Sequence, residues 1–142
     1  MTTENPGTLS ARHGHSRCLL CGNLNPKSLS LSFQPAGDGS VRTRFKARTE
    51  LQGYDDILHG GVIASLLDAA MTHCLFHRGI QAVTGDLHVR FVEPVSCHST
   101  LEIRAWVLYF HPPLYCLQAE ITLDGRVMAW ADAKFMERQV FR

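Results

Sequence analysis

The chain has 142 residues, and its 14 Lys and Arg nearly balance its 13 Asp and Glu, leaving a net charge of +1. This length suits one domain with its own core, and the balanced charge argues against a nucleic-acid partner or an anionic membrane surface. No run approaches the roughly 18 apolar residues of a membrane span, the chain does not open with a signal-peptide pattern, and its five cysteines share no spacing typical of a disulfide framework. We expect a cytoplasmic protein.

The first part of the chain divides into a tail and a hairpin. Residues 1–17 mix polar and turn-forming residues without apolar periodicity, which predicts a flexible N-terminal tail, and residues 18–142 are expected to form the single domain. Apolar and polar residues alternate over 29–33 and again over 41–47, with Pro and Gly between them. This pattern predicts two half-buried strands joined by a turn.

The stretch Leu58–His77 is the one long helix candidate. Apolar residues occupy nearly every direction around its 3.6-residue period, which is typical of a helix wrapped by the rest of the domain. A narrow polar stripe interrupts this surface, because Ser65, Asp68 and Thr72 follow one another at spacings of three and four residues. Burying an unpaired carboxylate is costly, so Asp68 is the leading functional candidate.

Four strand patterns follow the helix, over residues 82–92, 100–110, 114–123 and 126–137. In the first of them, one predicted face is apolar and the other polar: Val83, Leu87, Val89 and Phe91 alternate with Thr84, Asp86, His88 and Arg90. Asp124-Gly125 predicts a tight turn between the last two strands. One buried helix followed by antiparallel strands indicates an α+β fold, in which a sheet of five or six strands wraps a single long helix.

The tripeptide His59-Gly60-Gly61 stands at the start of the helix. Unpaired N–H groups and the positive end of the helix dipole lie there, and glycine lets a ligand approach the backbone closely. Such a site can polarise a carbonyl and hold the oxyanion that forms when the carbonyl is attacked. The alternative interpretation is an ordinary loop-to-helix junction.

Asp68 lies nine positions after His59, which is about 13 Å along the helix axis and on the opposite side of the helix. The two groups can act on one carbonyl only if two such helices lie antiparallel across a two-fold dimer. The alternative for Asp68 is a carboxylate that pairs with an Arg or caps a neighbouring loop.

Two motifs resemble the hotdog-fold acyl-CoA thioesterases, in particular those of the phenylacetate-pathway type. They are His59-Gly60-Gly61-Val-Ile-Ala-Ser-Leu-Leu-Asp68-Ala69-Ala70 and Thr84-Gly-Asp-Leu-His-Val-Arg-Phe-Val-Glu-Pro94, and the resemblance covers about residues 18–137. Cys18-Leu-Leu-Cys21-Gly is similar to the element that opens one branch of these proteins. The resemblance implies the hotdog fold, acyl-CoA substrates without a further cofactor, and homodimers with composite sites that often pair into dimers of dimers.

The same resemblance implies roles for individual residues. A backbone N–H of Gly60 or Gly61 would polarise the thioester carbonyl, and Asp68 would act as general base or nucleophile. His59 would help shape the site, and Thr84 would help place the carboxylate or the water. Hydrolysis of a thioester needs an activated water or carboxylate and a stabilised oxyanion, and it needs no metal.

Three further residues are candidate substrate contacts. Members of this type commonly carry an Asn shortly before His-Gly-Gly, and Gln52 is the candidate substitute here. Arg90 and His88 lie on the predicted polar face of their strand, where they can meet the phosphates of coenzyme A. An exposed sheet face explains these two residues equally well.

Other chemistries compete with this interpretation. Cys18-x-x-Cys21 and His73-x-x-x-His77 formally supply four zinc ligands, but the long interval between the pairs is unlike a compact zinc finger, so we expect no metal. Cys74 next to His73 raises the case of a nucleophilic thiol, yet adjacent helix residues do not face each other. The enzyme hypothesis also competes with a non-catalytic acyl-CoA-binding module, a sensor or scaffold, and with a hydratase or dehydratase on the same fold.

Overall fold

The computed structural model of the protein describes residues 13–138, so most of the expected tail, residues 1–12, lies outside the described residues. The elements in chain order are β1 (Gln34–Pro35), β2 (Val41–Lys46), α1 (Gly60–Phe76), β3 (Ala82–Phe91), β4 (Thr100–His111), β5 (Leu114–Leu123) and β6 (Arg126–Glu137). A 3-10 turn at Thr49–Leu51 precedes the helix. The predicted helix and the four strands after it are confirmed to within two residues at each end.

The six strands form one antiparallel sheet in the order β1-β2-β4-β5-β6-β3, and α1 packs against it. Leu66, Leu67 and Met71 of the helix are fully buried, as expected of a helix that is apolar all round. The sheet side of this core comes from alternate residues of the long strands, among them Ile103, Leu117 and Phe135. This arrangement confirms the predicted α+β hotdog fold, with six strands around one helix.

The first predicted strand is shorter than its sequence pattern suggests. Leu31 and Phe33 are buried, which agrees with the alternation, but only residues 34–35 pair with β2. The reason is that the backbone before β1 pairs with the N-terminal loop, residues 13–28. The N–H groups of Leu29 and Leu31 donate to carbonyl groups of this loop, those of Leu19 and Leu20, at 2.9 Å. The packed region also begins before residue 18, because the ring of His13 stacks on Phe76 with 4.3 Å between the ring centroids.

A bulge in β3 changes which of its residues face the helix. Thr84 pairs with Phe135 of β6 and Asp86 pairs with Lys134, so Gly85 is an extra residue in the ladder. Paired residues of an antiparallel sheet point to the same face, and Phe135 points into the core. Thr84 therefore lies on the helix side of the sheet with Leu87, and the predicted polar face that grouped Thr84 with Asp86 is wrong at this residue.

The strand β3 forms one edge of the sheet and carries exposed apolar side chains. Val83 is 57% exposed and Phe91 is 51% exposed. A long edge strand with apolar side chains is a surface on which another strand can pair.

Among residues 13–138, no helix is long and apolar enough to cross a membrane.

Candidate active site

Asp68 projects from the middle of α1 toward the edge strand β3. The hydroxyl Oγ1 of Thr84 donates a hydrogen bond to Asp68 Oδ1 at 2.6 Å, a length typical of a bond to an ionised carboxylate. Burial raises the pKa of the Asp68 carboxyl above its ordinary value, while the Thr84 hydrogen bond and the nearby His15 act in the opposite direction. The result is a half-buried, more basic carboxylate that a neighbouring hydroxyl holds in place.

The other two members of the polar stripe do not share this environment. The Ser65 hydroxyl donates to the carbonyl of Gly61 at 2.8 Å, and the Thr72 hydroxyl donates to the carbonyl of Asp68 at 3.0 Å. Such bonds to the preceding turn satisfy a hydroxyl within its own helix. Asp68 is therefore the member of the stripe whose side chain remains available for chemistry.

His59 caps the N-terminus of α1 and decides which backbone N–H groups remain there. Its Nδ1 accepts a hydrogen bond from the Gly61 N–H at 2.8 Å, and its carbonyl accepts from Val62 and Ile63 at 3.0 and 3.1 Å. No acceptor for the Gly60 N–H lies among the described residues. Of the two donors left open by the sequence, Gly60 is the one with an uncommitted N–H at the positive end of the helix dipole.

A shallow cleft of about 370 Å³ opens next to this helix N-terminus, lined by Gly53, Tyr54, Ile57, Leu58, His59 and Gly60. The ring of Phe91 lies beside it, since a Cβ on Gly60 would meet that ring at 3.5 Å. The absence of a side chain at Gly60 therefore leaves its N–H accessible from the cleft. The sequence pattern assigns Phe91 to the apolar face of its strand, and its place at the end of that strand, just before Glu93-Pro94, is a signal that it borders the loop region.

Gln52 is positioned by the loop that precedes the helix. Its side-chain Oε1 accepts a hydrogen bond from the Asp56 N–H at 3.0 Å, and Asp56 has a φ of +62° in the turn that this bond closes. The amide carbonyl of Gln52 thus stabilises the loop beneath the cleft.

The remaining predicted residues lie elsewhere in the chain. His88 pairs with Asp132 and Arg90 pairs with Trp130, so both lie on the face of the sheet opposite to Asp68 and Thr84. Gly60 and Asp68 are eight residues apart in one helix, which separates them by about 12 Å along its axis. One chain thus brings Asp68 and Thr84 together. It places Gly60 and the candidate substrate-contact residues at a distance from them.

Comparison with proteins of known structure agrees with this architecture. The RHA08564 protein, a thioesterase superfamily protein, is 23% identical with a TM-score of 0.80; the match covers 85% of this chain but only 63% of that one. The PaaI protein from the phenylacetic acid degradation operon of E. coli is 20% identical with a TM-score of 0.72, over 78% of this chain and 81% of its own. The BH2602 protein of Bacillus halodurans, whose structure contains CoA, is 21% identical with a TM-score of 0.70, over 80% of this chain and 77% of its own.

At these identities the structural likeness establishes the fold. No curated protein matches the chain. The family model of the thioesterase superfamily matches residues 56–129, a segment of just over half the chain that includes the helix N-terminus, Asp68 and Thr84. The chain therefore belongs to the thioesterase superfamily.

Proposed function

We propose that the protein is an acyl-CoA thioesterase that hydrolyses the thioester of an acyl- or aryl-CoA to the free acid and CoA. The observation that carries this proposal is the 2.6 Å hydrogen bond from Thr84 to the half-buried Asp68 on an apolar helix. A carboxylate with a raised pKa and a fixed orientation is suited to general-base or nucleophilic catalysis. The CoA in the structure of the BH2602 protein supports the choice of substrate class.

In the proposed reaction, Asp68 takes a proton from a water molecule as the water oxygen attacks the thioester carbonyl. The carbonyl oxygen becomes an oxyanion and accepts a hydrogen bond from the Gly60 N–H at the helix N-terminus. Collapse of the tetrahedral intermediate breaks the carbon–sulfur bond, and Asp68 returns its proton to the sulfur, so that CoA leaves as the thiol. If Asp68 instead attacks the thioester carbonyl directly, CoA leaves and an acyl-aspartyl anhydride forms. Attack of water on the aspartyl carbonyl of that anhydride releases the acid, and in a single turnover in H₂¹⁸O it leaves ¹⁸O in the carboxyl group of Asp68. Neither route needs a metal or cofactor at the reacting carbon.

The edge strand explains how Gly60 reaches Asp68 if two chains associate. Near its start, β3 holds Thr84 against Asp68, and at its end Phe91 lies against Gly60. If the β3 strands of two chains pair antiparallel around a two-fold axis at His88, the extra residue at Gly85 brings Thr84 of one chain opposite Phe91 of the other, with both side chains on the helix side of the sheet. The Asp68 of each subunit then approaches the helix N-terminus of its partner, which gives two composite sites per homodimer.

The outer face of the sheet remains the proposed place for the coenzyme portion or for a dimer of dimers. Arg90 and His88 project there, and Trp130 lies nearby, 6.2 Å from His88 between ring centroids. A guanidinium and an imidazole are suited to the phosphates of CoA.

Subunit complementation tests the composite site. Gly60 is the first residue of α1, where proline is tolerated, and the preceding His59 has φ of −60° and ψ of 134°, a conformation compatible with a following proline. Gly60→Pro therefore removes the proposed donor N–H and should lower kcat by about 10²–10³-fold. Gly60→Ala is the matched control, because it adds a Cβ at an ordinary contact distance but keeps the N–H.

Asp68→Asn and Gly60→Pro should each be inactive alone and should regain activity when the two are mixed and the subunits exchanged. A mixed dimer has one intact site, so random exchange should restore about a quarter of the wild-type rate. Release of free CoA thiol from a panel of acyl-CoAs is the measurement. Full inactivity of the mixture, with exchange verified by mass spectrometry, would refute the composite site.

The second candidate is a non-catalytic acyl-CoA-binding module. The observation that favours it is that the Gln52 side chain is engaged by its own loop, where its Oε1 accepts the Asp56 N–H. Calorimetric binding of acyl-CoA by the wild-type protein without thiol release would establish this function in place of hydrolysis.

A further inference from the structure

The N-terminal loop brings three metal-binding side chains together beside the helix. One ligand atom each from His15, Cys18 and Cys21 lies within 4.8 Å of the others. The distance between His15 Nδ1 and Cys21 Sγ is 3.6 Å. In a tetrahedral zinc site with bonds of about 2.0–2.3 Å, ligand atoms lie roughly 3.3–3.8 Å apart, so this pair already has the required spacing.

The loop is built tightly around these side chains. Its backbone is closed by hydrogen bonds from Cys18 N–H to the His15 carbonyl and from Gly22 N–H to the Cys18 carbonyl, both at 3.0 Å. A Cβ on Gly22 would lie 2.4 Å from the Cys18 nitrogen and 2.4 Å from the Ser16 carbonyl oxygen, so a side chain cannot be accommodated there. Cys18 Sγ also accepts a hydrogen bond from the Leu20 N–H at 3.3 Å, and such a bond stabilises a thiolate.

His73 supplies an independent sign of a ligand. It is only 4% exposed, and its Nε2 is buried with no hydrogen-bond partner within residues 13–138. Buried ring nitrogens normally have a partner, so this atom requires an explanation. His73 lines the same cavity of about 60 Å³ as His15, Cys18 and Cys21, which makes it the candidate for the fourth ligand.

We propose that His15, Cys18, Cys21 and His73 bind one zinc ion that fastens the N-terminal loop to α1. The ligand set is the Cys₂His₂ type that zinc prefers for structural sites. This assignment replaces His77 of the sequence-based four-ligand set by His15, because His77 Nε2 donates to the Phe33 carbonyl at 3.3 Å.

The net charge of the proposed zinc site is compatible with its position beside Asp68. Zn²⁺ with two thiolates and two neutral imidazoles has no net charge, so it can lie in a half-buried cavity without an added desolvation penalty for a net ion. Asp68 lines the same cavity and already accepts the Thr84 hydrogen bond, so its carboxylate is not required as a ligand. The proposed ion is structural and closes the wall of the cavity behind Asp68.

Metal analysis of the whole chain tests this site without reference to hydrolysis. We expect the untagged, reduced protein to bind one zinc per chain by atomic emission, and to bind Co²⁺ with the thiolate charge-transfer band and visible bands of a tetrahedral sulfur site. The Cys18→Ala and Cys21→Ala variants should lose at least about 100-fold in zinc affinity, and His73→Gln at least about 10-fold. Cys116→Ala is the matched control, since Cys116 is a buried cysteine outside the cluster.

The wild-type protein provides a test that does not depend on whether the variants fold. Chelation of its zinc should increase hydrogen exchange of the amides in residues 15–24, and added Zn²⁺ should restore their protection. Absence of stoichiometric zinc binding by the reduced wild-type protein would overturn the proposal. A Cys18–Cys21 disulfide found under reducing conditions, or unchanged affinity in the Cys18→Ala variant, would also overturn it.

Discussion

Replacing Thr84 by Val tests the proposed basis of the site, because Val keeps the shape of the side chain and removes its hydroxyl. The bond lost is the 2.6 Å contact from Thr84 Oγ1 to Asp68 Oδ1. Hydrogen bonds to charged groups contribute about 1.5–3 kcal/mol. The two side chains are partly open to solvent in the single chain, so we take the lower half of that range, which corresponds to a fall in kcat/KM of roughly 10–40-fold.

The pH dependence gives this prediction a second readout. The Thr84 bond lowers the pKa of Asp68, so its removal raises that pKa. A general base acts in its ionised form, and the acidic limb of the kcat/KM profile should therefore move to higher pH in Thr84→Val. Thr84→Ser keeps the hydroxyl and should keep the wild-type profile.

Thiol release measured across pH, with several acyl-CoAs at subsaturating concentration, distinguishes the outcomes. If Thr84→Val shows the wild-type rate and profile, the hydrogen bond does not position the base. If Thr84→Ser is impaired as much as Thr84→Val, packing of the methyl group accounts for the effect and the reasoning from the hydroxyl is refuted.

Three further predictions concern stability and assembly. Burial raises the pKa of Asp68 in the folded state, so ionisation of Asp68 lowers the free energy of unfolding as the pH rises through the folded-state pKa. Asp68→Asn should therefore have a higher Tm than the wild type at pH 8. Calorimetry should show this difference in Tm closing below the unfolded-state pKa of about 3.9. His59→Ala removes the acceptor of the Gly61 N–H and should lower the free energy of unfolding by about 1 kcal/mol, which is a fall of about 4 °C in Tm. His59→Asn should retain the cap. Equal Tm values for the two variants would contradict the capping role of His59. Leu87→Asp places two like charges near the proposed two-fold axis and should shift the mass in analytical ultracentrifugation from dimer to monomer. The control Leu19→Asp alters a 56% exposed loop residue and should leave the mass unchanged.

The elements of the fold follow from local patterns in the sequence. The helix Gly60–Phe76 is a long stretch that is apolar on nearly every side, and the strands from Ala82 onward alternate with a period of two residues; both signals depend only on residues near one another along the chain. Asp124 and Gly125 have φ values of +50° and +82°, as the hairpin signal in their sequence predicts. The conflict between a carboxylate and an apolar helix at Asp68 is likewise a property of the sequence.

The composition of the site depends on contacts that no local pattern specifies. The extra residue at Gly85 is a property of the pairing between two strands, and it turns Thr84 toward the helix. The choice of Gly60 over Gly61 depends on where the His59 ring turns, since that ring takes the Gly61 N–H.

The cluster around Cys18 and Cys21 also lies beyond local patterns, because it requires the N-terminal loop to fold back onto the helix and bring His15 near His73. Local patterns along the chain thus determined the helix, the strands and the unusual carboxylate. Only the tertiary structure decided which donors, hydroxyls and ligands meet, because those encounters join residues far apart in sequence through competing hydrogen bonds.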